Sequence, residues 1–343
     1  MTIYRDTRLG GIQKWYIGMP KDALMRVPDD ILRCVCFLCV KETKDGSDRF
    51  HYGGTGFFVS LPSESQPDTS HIYVVTAAHN IEKAQRYGSN LYLRVNTLTG
   101  EAKHVEVEQP WTFPEKNGVD LAILGWAPPS SIFHFRTISI ESCATEAVFE
   151  KEDIGLGDEL FCVGLFTQRH GTKKNQPIVR SGIIAAMPSE PLEDTDTRFE
   201  YDAYLAEVRS IGGLSGSPVF VGLPDVFHTA TIKRAREKLF YLLGVIRGHW
   251  DLKKRETALD FADDELDQVN MGIALVTPIG ELITMLNSDE LKKQRRKSEE
   301  VFAKQKAPTL DSGFPERSFT KDDFESALKK ASRKITPEGK KKT

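Results

Sequence analysis

From residue 29 to residue 285 the chain is a succession of short apolar runs separated by turn residues. In order they read "ILRCVCFLCV", "GTGFFVSL", "HIYVVTAAH", "LYLRVNT", "HVEVEQ", "VDLAILGW", "ELFCVGLF", "VRSGIIAAM", "YLAEVRS", "SPVFVGL", "LFYLLGVI" and "MGIALVTP". Each is too short for a typical helix and rich in β-branched or aromatic residues, several with alternating polarity. Such segments pack as antiparallel strands of a barrel or sandwich, not as βαβ units. The run "EKLFYLLGVI" opens like a helix, but Val245, Ile246 and Gly248 mark it as a strand. A mainly β fold is therefore expected.

The residues around this β region punctuate it. Residues 1–28 are mixed, interrupted by Pro20 and Pro28, and read as a lead-in. "APPSS" at 127–131 is a candidate seam between two halves, expected as 29–140 and 141–286. Two charged insertions occupy 222–238, with "TIKRAREKL" a candidate helix, and 250–270. After Pro278 the period changes: Leu282, Ile283 and Leu286 recur at helical spacing. Ser288 is placed to cap a second, polar helix, and Thr320 a third carrying Phe324 and Leu328. Residues 287–343 hold 16 Lys/Arg against 10 Asp/Glu, while the preceding 286 hold 30 against 39. A mildly acidic body thus ends in a basic tail, expected to be helical or partly unstructured.

The totals exclude several classes. A net charge of -3 does not suit a surface devoted to nucleic acid. No stretch approaches the roughly 20 apolar residues that span a bilayer, and the opening residues lack a secretory pattern. Three of the five cysteines, Cys34, Cys36 and Cys39, share one strand, where they are poorly placed to bridge one another. Reduced thiols and a cytoplasmic location are expected. Cys34 and Cys36 lack a second ligand pair at zinc spacing, so no metal is expected.

One turn stands out chemically. "GGLSGSPVF", from Gly212 to Phe220, surrounds Ser215 with residues that permit a tight backbone. A serine hydroxyl attacks a carbonyl only when a base removes its proton. "VVTAAHN" supplies an imidazole at His79, and "NGVDLAIL" a carboxylate at Asp120 able to orient that ring. The N–H groups of Gly213 and Ser215 could meet the charge that develops on a carbonyl oxygen. The α/β-hydrolase elbow fits poorly, because Ser217 fills its last glycine position, Pro218 and a strand follow, and the histidine precedes the serine.

"TAAH", "DLAIL" and "GLSGSP", in this order, resemble the motifs of trypsin-like (chymotrypsin-fold) serine peptidases. "GTGFFVS", "YLLGVIRG" and "MGIALVTPIGELITML" resemble the bacterial HtrA-type protease domain. The resemblance spans about 30–286 and implies two antiparallel six-stranded β-barrels with a cleft between them. His79 and Asp120 would come from the first and Ser215 from the second. It implies His79 as general base and acid, Asp120 as its orienter, Ser215 as nucleophile, and the Gly213 and Ser215 amides as oxyanion hole. It further implies that Val245, Ile246, Arg247 and Gly248 line an extended polypeptide substrate, that Met271 flanks the primary pocket, and that Arg209 sits there and favours acidic side chains. No cofactor is implied. Leu214 replaces the aspartate that pairs with a new N-terminus in digestive trypsins, so no such activation cleavage is expected. Asn80 stands in place of a cysteine common after the histidine. The 57 residues after 286 cannot hold a PDZ domain, and the expectation for them is a solvated helix and frayed end that could serve a regulatory protein partner, not nucleic acid. Two functions follow: a serine endopeptidase, latent or constitutive, or a silent protease-fold binding module.

Overall fold

The computed structural model describes residues 3–5, 27–66, 68–86, 90–194, 197–208, 212–222, 226–228, 233–235, 240–251 and 270–306. The architecture is mainly β. The N-terminal half contains strands β1 (Ile3–Arg5), β2 (Val35–Lys44), β3 (Ser47–Pro62), β4 (Thr69–Thr76), β5 (Leu91–Asn96), β6 (Ala102–Glu106), β7 (Ala122–Leu124) and β8 (Ile138–Ser139), with helices α1 (Asp29–Leu32) and α2 (Ala78–Arg86). The C-terminal half follows helix α3 (Glu146–Glu152) with β9 (Glu159–Gly164), β10 (Ile178–Ala186), β11 (Leu192–Glu193), β12 (Glu200–Tyr201), β13 (Tyr204–Glu207), β14 (Pro218–Gly222), β15 (Val226–His228), β16 (Lys233–Ala235), β17 (Phe240–Asp251) and β18 (Asn270–Pro278). Helices α4 (Ile279–Leu286) and α5 (Asp289–Lys306) end the described chain.

Two barrels were expected, and one is found. Strands β10-β13-β18-β17-β14-β9 close on themselves, whereas the first eight strands form a sheet ordered β1-β4-β3-β2-β5-β6, with β7 on β4 and β8 on β3. Between β6 and β7 the chain carries Pro110 and Pro114, which have no amide to donate to a ladder. Only the isolated bridge Thr112↔Ile123 forms there. The changeover between halves also differs from the "APPSS" seam. Leu98 and His134 donate to the Ile132 and Asn96 carbonyls, so that segment still belongs to the first sheet. The chain crosses to the barrel at a 3-10 turn over Ile140–Ser142, after which Ala144 N–H donates to the Leu242 carbonyl on β17. "TIKRAREKL" supplies strand β16, paired with β15, in place of a helix through Lys233–Ala235.

Side-chain alternation builds three apolar layers from these strands. On β3 and β4, Phe57, Val59, Tyr73 and Val75 face the barrel, while Phe58, Ile72 and Val74 face the concave side of the first sheet. On the barrel, Phe161, Val163, Phe220 and Leu242 meet the first sheet, and Leu160, Cys162, Val219, Val221 and Leu243 fill the interior. Strands apolar on both faces read as continuous hydrophobic runs, which is why "HIYVVT" lacks clean alternation. Four of the five cysteines, Cys34, Cys36, Cys143 and Cys162, lie in these layers, and all five are buried and outside any disulfide.

Helix α4 buries Ile279, Leu282, Met285 and Leu286 in the central layer. Contrary to the expected solvated face, α5 continues that packing. Leu291 joins the layer, and Arg295, from the run "KKQRRK", is buried with its guanidinium donating to the Tyr73 hydroxyl (3.2 Å) and the Leu286 carbonyl (2.7 Å). One turn later, buried Glu299 takes the Ser63 hydroxyl at 2.5 Å, the Ser65 hydroxyl, and the His71 ring at 2.9 Å. The compact unit accordingly runs to Phe302, and the boundary expected at 286 moves into α5. The third candidate helix, at Thr320, lies outside the described residues.

The Glu299 contacts make α5 docking acid-sensitive. Burial pushes His71 below its ordinary value, outweighing the carboxylate beside it. Burial alone would raise the Glu299 carboxyl, but hydrogen bonds from Ser63, Ser65 and His71 hold it below its ordinary value. Both groups bind fewer protons folded than unfolded, so stability falls as pH drops. The loss begins as pH falls below about 6.5 for His71 and below about 4.3 for Glu299. Glu299→Ala should cost about 2 kcal/mol at neutral pH by leaving the buried His71 ring without its carboxylate partner. Urea unfolding at stepped pH should show the wild-type advantage shrinking through the carboxylate range.

Candidate active site

The register of β4 against β7 builds the first part of the site. The antiparallel pairs Val75↔Ile123 and Thr76↔Ala122 extrapolate to adjacent positions for the residues just past β4 and just before β7. His79 lies there, in the first turn of α2, opposite Asp120. The His79 ring Nδ1 and the Asp120 carboxylate Oδ2 are 2.7 Å apart, and the His79 backbone N–H donates to the other carboxylate oxygen at 3.0 Å. Two bonds from one residue hold both carboxylate oxygens. Asp120 is nearly enclosed, which alone would raise its carboxyl, yet the His79 bonds and the charge of Arg247 bring it below its ordinary value. An ionised carboxylate on Nδ1 fixes the tautomer that carries hydrogen there and leaves Nε2 free to accept.

The Ser215 turn is seated against the first sheet. The Ser215 carbonyl accepts from Thr55 N–H (3.0 Å) and from the Asn80 side-chain amide (3.0 Å), and Thr55 Oγ1 donates to the Gly213 carbonyl (2.8 Å). Gly216 N–H donates to the Ile246 carbonyl, and Ser217 N–H to that of Leu214. Gly213 and Gly216 adopt φ of 99° and 85°, in the region that disfavours other residues. Among the described residues, no acceptor takes the N–H of Gly213 or Ser215. The Ser215 hydroxyl donates to the Arg247 carbonyl at 3.5 Å, and that carbonyl, not His79 Nε2, is its hydrogen-bond partner among the described residues.

The remaining sequence candidates divide. Val245 and Ile246 are 0% exposed, in the central and barrel layers, so their side chains cannot touch a substrate. Arg247 and Gly248 lie where β17 outruns β14, at a break in the β17–β18 register. A Cβ placed on Gly248 would meet nothing within 4 Å, so this backbone borders open space. Met271 lies on β18, its side chain outside the described residues, as is Arg209 altogether. Sequence reasoning gave Thr55 and Asn80 no role. Thr55 lay inside a strand motif, and Asn80 signalled only the lack of a cysteine.

No family model matches the chain, and no curated protein matches it in sequence. Among solved structures, the crystal structure of Deg5 matches 75% of this chain and 88% of its own at 14% identity, with a TM-score of 0.40. At that identity and score the likeness carries no argument about function, which must come from the residues themselves.

Gly216 gives a direct probe of the seating. An added Cβ would lie 2.1 Å from the Thr55 carbonyl oxygen and 2.3 Å from Thr76 Oγ1. Gly216→Ala should therefore lose about 2–4 kcal/mol from positive φ and overpacking together. Gly212→Ala, with only Thr167 Oγ1 at 3.8 Å, should change little. Chemical denaturation of both variants checks the contrast.

Proposed function

We propose that this chain is a serine endopeptidase of the trypsin-like type, with the curled N-terminal sheet standing in place of the first barrel. The observation that carries the reading is the doubly bonded His79–Asp120 pair, in one compact unit with a glycine turn whose Gly213 and Ser215 amides have no acceptor among the described residues. Free donors fixed in advance are what an oxyanion requires.

In this reading an extended polypeptide lies along the Arg247–Gly248 backbone. The Ser215 hydroxyl rotates from the Arg247 carbonyl to His79 Nε2 and attacks the scissile carbonyl, passing its proton to the ring. Asp120 stabilises the imidazolium so formed, and the Gly213 and Ser215 N–H groups hold the oxyanion. The ring then protonates the leaving amine, and a water molecule, activated by the same ring, releases the acyl group from Ser215. All the acid–base work falls to protein side chains, so the scheme calls on no cofactor. Five cysteines outside any disulfide fit the reducing cytoplasm expected from the sequence.

A second reading draws on the Ser215 hydroxyl bonded to the Arg247 carbonyl: a protease-fold binding module, or a peptidase latent until a partner frees the serine. Lengthened catalytic hydrogen bonds are common without substrate, which favours the first reading. Fluorophosphonate labelling and cleavage of an unfolded protein substrate should both vanish in Ser215→Ala. Asp120→Asn should retain about 10⁻⁴ of the turnover. Labelling that persists in Ser215→Ala would reject the assignment.

A further inference from the structure

Arg247 is immobilised to a degree that its position on a cleft edge does not require. Its side chain is 15% exposed, and fixing so long a side chain costs on the order of 2 kcal/mol in rotamer freedom. Three contacts hold it. The guanidinium carbon lies 3.8 Å from the centre of the Tyr201 ring, Nη2 donates to Asp194 at 2.9 Å, and Nη1 donates to the Gly118 carbonyl at 2.5 Å.

Those partners come from different parts of the fold. Tyr201 ends β12, in the β11–β12 hairpin of the barrel half, and Asp194 directly follows β11. Gly118 belongs to the first half, two residues ahead of Asp120. Gly118 has φ of 83°, and a Cβ there would lie 2.6 Å from the Glu200 carbonyl, so the turn leading to Asp120 is pressed against β12. The main chain of Arg247 meanwhile receives the Ser215 hydroxyl. A register break at this residue lets its carbonyl and side chain serve different neighbours. Its charge also belongs to the surroundings of Asp120.

We infer that Arg247 is a positioning residue that holds the Asp120 turn and the Ser215 turn in one frame across the two halves. The inference rests on the peptidase reading and deepens it. Thr55 and Asn80 already fasten the Ser215 turn to the first sheet, and the guanidinium fork adds the tie from the Asp120 turn to the β11–β12 hairpin, setting the distance between carboxylate and nucleophile. Lysine carries the charge without the fork or the flat stacking face.

The test uses full-length protein with Arg247→Met, Arg247→Lys and, as a stability control remote from the cleft, Glu299→Ala. Two readouts are taken: the rate of fluorophosphonate labelling, and the titration midpoint of the His79 ring by NMR of ¹³C-labelled histidine, with His79→Gln assigning the signal. Arg247→Met should label at least tenfold more slowly than wild type. Its His79 midpoint should rise measurably, because losing a cation near Asp120 favours the imidazolium. Arg247→Lys should restore the midpoint but not the rate, and Glu299→Ala should leave both unchanged. Wild-type rate and midpoint in Arg247→Met would overturn the inference while leaving the peptidase reading intact, as would an equal loss of rate in Glu299→Ala. Failure of the wild type to label would count against the peptidase reading instead. The His79 midpoint would then decide the part played by Arg247: a rise in Arg247→Met supports it, and no change overturns it.

Discussion

The antiparallel pairing of β4 with β7 is the constraint on which the rest depends. A three-residue strand would be marginal alone, but Ala122, Ile123 and Leu124 are buried on both faces, which leaves one workable register. A slip by one residue would invert every one of those side chains and carry Asp120 away from His79. The position of the His79–Asp120 pair is therefore set by apolar packing, and the hydrogen bonds only refine it. This division suits a site that must keep a carboxylate ionised in a nearly enclosed place: the energetic cost of enclosing it is met by core residues that never touch it.

The same logic explains the meeting of the two halves. Apolar contact in the central layer supplies adhesion without direction. Direction comes from a few polar groups with fixed geometry. Thr55 uses its amide, its carbonyl and its hydroxyl at once, on Ser215, Thr76 and Gly213, and its hydroxyl oxygen also accepts from Leu165 N–H. Valine, equal in shape, would keep the volume but strand the Gly213 carbonyl and the Leu165 amide in the core. Asn80 acts similarly from the far side, and Gly54 is small because a Cβ there would lie 2.5 Å from the Asn80 amide nitrogen. Gly54 and Thr55 in "GGTGFF" thus have a common cause, the approach of the Ser215 turn, while Gly56 instead makes room for the Leu38, Cys36 and Val74 side chains.

How far the sequence speaks follows from which interactions are local. Strand identity is legible wherever burial is one- or two-sided over several residues, as in "HIYVVT", because burial imposes its pattern on consecutive positions. His79 and Asp120, which the structure joins, stand out because each sits near a strand end marked by small or turn residues. Barrel closure is not legible, since it depends on which strands pair across a sheet and not on the pattern within any one of them. Nor is the docking of α5. Its buried Arg295 and Glu299 look like solvated charges in sequence, and most of the partners that make their burial tolerable, the Ser63, Ser65 and Tyr73 hydroxyls and the His71 ring, lie more than 200 positions away.

The orientation of the Ser215 hydroxyl brings these threads together. A bond of 3.5 Å to a carbonyl is weak, worth well under the roughly 1 kcal/mol of a well-formed neutral hydrogen bond. Rotation about one side-chain dihedral would redirect it, so the turn itself need not move. The glycine φ values and the Thr55 and Asn80 bonds already fix the backbone, and among the described residues the Gly213 and Ser215 amides have no acceptor from which they must be released. In the proposed scheme the hydroxyl must turn toward His79 while the Thr55 and Asn80 bonds keep the backbone of its turn in place.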